Sequence, residues 1–507
     1  MRMRRFAVAL GLLLTTVLAA VLAAPPAQAR TGGLDDVFAE LLVKQVKGTN
    51  VAKHLKALQA IADANGGTRA VGTPGYRASR DYVAGKLRRA GYKVTLQPVK
   101  FVESWSENTP PTLAVQGGAT YVPNEDFFTF EPSPSGDVTA QVQAVDLTLP
   151  PAPAPSSTSG CEAADFAGFV AGRIALVQRG TCPFVTKVEN ALAAGASAII
   201  IFNEGQPGRT DAFALDISGL QGLPMVFADF AVGQALAATP GATVHLKVDA
   251  NLALGTEDNV IAESRLGDPR EVVMVGAHLD SVTEGPGIND NGSGSAAILE
   301  VAERMALYPV KHKVRFAFWA AEEIGLLGST QYVASLSQQQ RDRVRLYLNF
   351  DMIASPNHAY KLYDGDDSDG MGSPAGPPGS AQIEQRLATF FGSRGLPTVG
   401  TDFDGRSDYG PFIAIGIPSG GIFTGAEGVK TAEEAALFGG TAGAPYDACY
   451  HQACDTLANV NATALDVDSD AIADSVARYA FDLRSIPTRT TAATTTAARA
   501  ALTGAAG

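Results

Sequence analysis

Five side chains suited to divalent metals, and one spare carboxylate, stand out in the chain by type and position. His278 ends an apolar run and begins a His-x-Asp pair with Asp280. Asp290 lies twelve residues further on, between Asn289 and Asn291, where the chain turns to small residues in GINDNGSGS. Glu322 and Glu323 are adjacent and follow the apolar FAFWAA, Asp351 follows LYLNF, and His451 comes late, behind Tyr450. Imidazole nitrogens and carboxylate oxygens are the donors that zinc-type ions take. A set this large serves two ions and leaves one carboxylate for proton transfer, which is the equipment of metal-assisted hydrolysis.

Each residue also has a plainer reading. A lone His after a strand is most often a satisfied polar group near a sheet edge, yet Asp280 stands where it could accept the second imidazole N–H and fix the tautomer. Asp290 could be a turn residue capping the helix that follows. Its Gly-rich loop lacks the Gly-Lys-Ser/Thr of a phosphate cradle. Two acids after so apolar a strand are harder to dismiss as a solvated end. Consecutive residues leaving a strand point to opposite sides, so one can bind metal while the other faces a substrate water. His54, His245, His312 and His358 have no acidic strand-end context and read as surface or structural residues.

The elements needed to position these groups follow from periodicity. Residues 34–93 are helical in pattern, with a second helix over 77–90 closed by Gly91 and a strand in YKVTLQPVKF. From 108–112 the chain changes to Pro/Gly-punctuated β segments as far as about 249, including strands over 172–178 and 198–203 and a helix over 183–194. Beyond Asn259 strands and helices alternate: strands 272–277, 314–319 and 346–350, helices 293–307, 325–336 and 381–394. That rhythm is an α/β fold with a largely parallel sheet flanked by helices. Such sheets bind ligands beyond the carboxyl ends of their strands, where His278, the Glu pair and Asp351 all fall.

Residues 1–29 read as an export signal: three arginines, an apolar run, then Ala27-Gln28-Ala29. A retained anchor is the alternative; no later segment has the roughly 20 apolar residues of a spanning helix. Losing this leader takes the net charge from −13 to −16. That acidity speaks against nucleic acid and anionic membranes as partners. The expectation is a secreted, extracellular protein. In an oxidising compartment Cys161 would pair with Cys182 and Cys449 with Cys454, a thiolate metal site being the rival reading. The tail 487–507 is low in complexity and reads as a disordered segment, open to removal.

Eight ordered motifs, NGGTRAVGTPGYRASRDYV, AHLDS, GINDNGSGSAAILEVA, AAEEIGLLGS, NFDMI, GRSDYGPF, GGIFTGAE and CYHQACDT, resemble peptidase family M28, and specifically its secreted bacterial zinc aminopeptidases of the Streptomyces type. The stretch GRIALVQRGTCPFVTKVENALAAGASAIIIFNEG looks like a protease-associated (PA) domain. The resemblance implies a zinc-peptidase domain over 34–111 and 251–486 with a β-rich PA insert over 112–250. It implies two Zn²⁺ bridged by Asp290, with His278 and Asp351 on one and Glu323 and His451 on the other. Glu322 would then be the general base, Tyr450 the oxyanion donor, and Arg406 and Phe423 part of the amino-acid pocket.

The expected substrate is the N-terminus of a peptide or protein, with apolar residues released by a monomer. A carboxypeptidase or dipeptidase on the same scaffold is the alternative enzyme, and a catalytically silent binding module the alternative class. Asp466 and Asp470 match half of a calcium site of such relatives, whose other half would here be Gln45 instead of Asp. A merely acidic helix start would look the same.

Overall fold

The computed structural model describes residues 33–217, 222–370 and 372–488. The leader 1–29 and all but the first two residues of the tail lie outside the described residues.

Three helices open the described residues, Leu34–Gln45, Gly48–Ala64 and Pro74–Ala90. The third starts where Thr73 accepts the Tyr76 N–H with Pro74 in the first turn, and stops at Gly91, whose φ of 100° suits a residue without Cβ. Strand β1 (Lys93–Val115) follows. The central region holds β2 (Phe127–Glu131), β3 (Gly136–Ala144), β4 (Ile174–Gln178), β5 (Ala198–Phe202), β6 (Leu215–Asp216) and β7 (Met225–Ala228), and β8 (Thr243–Glu263) leads out of it. Then come β9 (Asp268–His278), β10 (His312–Trp319), β11 (Val344–Phe350), β12 (Lys361–Tyr363), β13 (Val399–Thr401) and β14 (Ser419–Phe423).

The main sheet runs β13-β12-β14-β11-β9-β10-β8. Strands β10, β9, β11 and β14 are parallel; β8 and β12 join antiparallel. Residues 272–277 read as an unbroken apolar run, and 346–350 as one broken only by Asn349, because both sheet faces are covered. Val273, Val275, Leu346 and Leu348 pack on the opening helices, on Gly292–Met305 and on Ala462–Tyr479. Met274, Trp319 and Tyr347 face the other way, onto Tyr332 and Phe412.

The central region has its own apolar clusters, built from β4, β5 and β7 with the helices Phe184–Ala193 and Phe230–Ala237. Its β3, β4, β5 and β7 are parallel, so the expected β segments and the helix expected over 183–194 form an α/β layer. It joins the main sheet through β1 and β8, which pair antiparallel from Lys93↔Glu263 to Val115↔Val244. The ribbon is about 70 Å long at roughly 3.3 Å per residue. The sequence reading ends the first strand near Phe101, yet β1 runs on to Val115. Pro110 and Pro111 fall inside a register shift between Thr109 and Thr112, and β1 pairs with β8 alone, so the missing N–H groups break no ladder.

Candidate metal centre

Adjacent parallel strands deliver most of the site. Trp319 pairs with His278 in register across β10 and β9, and β11 lies on the other side of β9. His278 therefore emerges beside the Glu322–Glu323 turn and beside Asp351. Asp290 arrives on the loop that follows β9. The cap of the next helix is Asn291, which accepts the Gly294 N–H, so Asp290 keeps both carboxylate oxygens for the site. His451 comes from a loop closed by the Cys449–Cys454 disulfide; Cys161–Cys182 also forms, and no free cysteine remains among the described residues.

The donor atoms fall into two sets. His278 Nε2 lies 3.1 Å from Asp290 Oδ1 and 3.3 Å from Asp351 Oδ1. His451 Nε2 lies 3.3 Å from Asp290 Oδ2 and 2.9 Å from Glu323 Oε2. Asp290 thus offers one oxygen to each set. Glu322 Oε2 stands 3.9 Å from His278 Nε2, farther than the members of either set, although its carboxylate is near enough to His278 and Asp351 to share an ion with them. Ligands 2.0–2.1 Å from a tetrahedral zinc sit about 3.3 Å apart, the spacing seen here. Asp351 Oδ1 and Glu323 Oε1 are buried without a hydrogen-bond partner, which a bound cation would supply. The donor set fits zinc.

The electrostatics agree. Burial pushes Glu322 well above the usual carboxylate range, and Asp351, Asp408 and Glu323 add to it against the pull of His278. Burial and Asp290 bring Glu323 to about 7 against His451. Burial works against protonation of His451, but Asp290 and Glu323 raise it to about 10. Crowded buried carboxylates that resist ionising together are a negative field in need of cations.

Backbone groups fix the geometry. Arg69 is fully buried and donates from Nε to Pro286 O (2.8 Å), from one terminal nitrogen to Gly287 O (2.5 Å) and from the other to Leu279 O, clamping the His278–Asp290 loop. Asp455 accepts the Asn289 and Asp290 N–H groups at 2.8 and 3.0 Å. Asp447 accepts from Asn289 Nδ2 (2.7 Å) and from the Cys449 N–H (2.8 Å), joining the Asp290 loop to the His451 loop. A chain of donors runs from Trp319 through Tyr347, Asn349 and Ser407 to Asp351 Oδ2, the last step 2.5 Å. Ala321, Met352 and His451 hold left-handed φ of 56°, 50° and 56°, backbone strain gathered around the acid pair and two of the donors.

Asp280 departs from expectation. Its carboxylate accepts the Glu322 and Glu323 N–H groups at 3.2 and 3.3 Å, and its Oδ1 is 3.6 Å from His278 Nδ1, which faces the Asp280 carbonyl at 3.3 Å. It aims the acid pair more directly than it holds the imidazole. Arg406 and Phe423 line the same open cavity as the donors, with Lys361, Tyr363, Asp402 and Tyr446. Arg406 pairs with Glu427 (2.7 Å) and donates to Tyr450 Oη (3.1 Å), while the Tyr450 ring stacks on His451. Asp466 accepts the Gly48 N–H at 2.8 Å, Asp470 pairs with Arg394 at 2.9 Å, and Gln45 donates to Tyr308. Arg69, Ser407, Asp447 and Asp455 were missed. Three of them lie inside quoted motifs, but nothing in their residue types marks them as supports of the site.

Residues 259–476 match the model of peptidase family M28, and residues 139–236 match that of the PA domain. An aminopeptidase of Pseudomonas aeruginosa is 50% identical over 445 residues, covering 85% of this chain and 81% of that protein. A probable lipoprotein aminopeptidase, LpqL, of Mycobacterium tuberculosis is 44% identical over 455 residues, covering 88% and 87%. Among solved structures, the aminopeptidase from Aneurinibacillus sp. strain AM-1 is 28% identical with a TM-score of 0.51, covering 86% of this chain and 95% of that one.

Proposed function

The chain belongs to peptidase family M28 and carries a PA domain, and from that premise we propose that it is a secreted di-zinc aminopeptidase. The observation that carries the reading is the shared carboxylate: Asp290 presents one oxygen to the His278–Asp351 set and the other to the His451–Glu323 set. When bound, two zinc ions lower the pKa of a water and polarise a carbonyl. Three ligand carboxylates against two dications leave a net charge of about +1, suited to a developing oxyanion.

The side chains perform the rest. Glu322, buried and set farther from His278 than the paired donors, takes the proton of the attacking water and returns it to the leaving amine. Tyr450 donates its hydroxyl proton to the oxyanion; Arg406 occupies the acceptor side of that hydroxyl and so turns the proton outward. Glu322 and Asp351 are the acids that would hold the substrate's α-ammonium. Tyr363, Phe423 and Tyr446 give the cavity apolar walls, which suit release of an apolar residue. A carboxypeptidase would need free cations for the substrate carboxylate. Arg406 is paired with Glu427, and Lys361 with Glu434 at 3.1 Å.

The test is cleavage of two peptides, one blocked at its amino end and one at its carboxyl end, by chelator-stripped protein to which zinc is returned. Zinc should restore cleavage of the C-blocked peptide alone. Cleavage of the N-blocked one would make it a carboxypeptidase or endopeptidase, and binding without cleavage a silent module.

A further inference from the structure

A second convergence of metal donors lies away from the cavity, between helices Gly48–Ala64 and Gly292–Met305. His54, on the first, is 3% exposed. Its Nε2 faces Glu303 Oε2 at 3.3 Å and Glu300 Oε2 at 3.6 Å, both from the second helix at i, i+3 spacing. An imidazolium donating to a carboxylate would close to about 2.7–2.9 Å. Both separations are longer than that: 3.3 Å equals the widest spacing between donors of the candidate zinc centre and the spacing of ligands around a tetrahedral ion, and 3.6 Å lies a little beyond it.

Each donor is aimed by a further contact. Tyr82 Oη lies 2.7 Å from His54 Nδ1, and in the tautomer in which Nδ1–H donates to it, Nε2 is left for a ligand bond. Glu300 Oε1 accepts from Arg304 Nε (2.7 Å) and Asn50 Nδ2 (3.0 Å), which turns Oε2 to the imidazole. The Glu303 side chain is 22% exposed and gives a route for an ion and a water in the fourth position. Lys86 Nζ, 3.4 Å from Glu303 Oε1, is the competing cation, and it is exposed enough to swing away. Burial acts to deprotonate His54, but the two carboxylates outweigh it and raise its pKa. The field that would hold a proton there would hold a dication as well.

We propose that His54, Glu300 and Glu303 bind a third divalent ion of the zinc type, with water as fourth ligand, clamping the Gly48–Ala64 helix to the helix that begins at the Asp290 loop. The role is structural, because an ion there gains its affinity from the folded contact between the two helices and returns it as stability. The experiment is calorimetric titration of zinc into chelator-stripped protein, with metal per chain measured after gel filtration.

Three equivalents are expected in the wild type and two in His54→Gln and Glu303→Gln, with turnover of an aminoacyl anilide unchanged in both. Zinc beyond two equivalents should raise Tm in the wild type only. Lys86→Gln should tighten the third site about tenfold by removing the rival charge. Equal stoichiometry in wild type and both variants would overturn the proposal. So would nitrogen NMR showing His54 doubly protonated in zinc-saturated protein, which would make the cluster an ion-pair network. Glu303→Gln alters a partly exposed residue, and it decides the matter should His54→Gln fail to fold.

Discussion

The molecule contains two runs of parallel strands, one in the main sheet and one in the insert, and both place buried polar groups at the carboxyl ends of their strands. In the insert these are Gln178, Asn203 and Glu204, after β4 and β5. Glu204 accepts the Ser156 and Ser157 N–H groups at 2.8 and 2.9 Å and pairs with Arg209 at 3.0 Å; Gln178 is bonded to Thr148 and to Glu204 O. In the main sheet, Asp351 Oδ1 and Glu323 Oε1 have no hydrogen-bond partner and face a cavity. Position in the fold is the same, and the partners differ: one Glu204 oxygen accepts two amides and the other, without a hydrogen bond, faces the Arg209 guanidinium, while the main-sheet carboxylates face two imidazoles and the cavity. A carboxylate met by amides and a built-in cation holds a loop, whereas carboxylates gathered around imidazoles with no cation of the chain's own await one.

The comparison predicts where substitution hurts. Asp290→Ala should be the most severe change, since it removes a donor from both sets: activity is expected to vanish and zinc at the centre to fall below two per chain by mass spectrometry. Two tightly held zincs there would remove the shared-carboxylate assignment. Glu322→Gln should leave zinc in place and lower kcat by about 10²–10⁴ in steady-state assays, the contribution of a lost general base. If Glu323→Gln instead lost turnover while keeping metal, the roles of the two acids would be exchanged.

In the insert, changes should spare the chemistry. Replacing residues 107–250 by Asn-Gly would join Ser106 to Asn251, a registered pair, through a two-residue hairpin turn. Turnover of a single-residue anilide should persist while relative rates on longer peptides change, as expected of a module that guides or restricts substrates. Unchanged relative rates would leave the insert only a structural appendage, and loss of zinc would show that it supports the site.

The smallest effect is a pH slope. Burial pushes Lys187 down to about 8, below the roughly 10.4 of an unfolded lysine. Between those values the unfolded chain carries the extra proton, so stability should rise as pH climbs from about 8 toward 10. Lys187→Met should flatten that slope in thermal melts without altering turnover.

Much of this was legible in the sequence, for a physical reason. Much of the site sits at strand ends, and strand ends show wherever apolar runs stop: His278, the Glu322–Glu323 pair and Asp351 announce themselves by what precedes them. The supporting groups do not. Arg69 acts through carbonyl groups more than 200 residues away in the chain, and Asp455 through amides; neither pairing leaves a periodic trace. The short strands β12 and β13 were invisible because three residues carry no period, and β1 was cut short because its prolines look like breaks until the register shift that absorbs them is seen.

That ribbon has a mechanical consequence. Two domains joined by loose peptides swivel about them, but β1 and β8 enter the insert as paired strands, with backbone torsions fixed along most of the length. The join resists stretching and shear and yields chiefly to twist. Bending compliance is confined to the register shifts at 102–104 and 107–112, where pairing lapses. A load on the insert therefore reaches the main sheet as torque along β8, the strand that flanks β10 and, through it, the turn carrying Glu322 and Glu323.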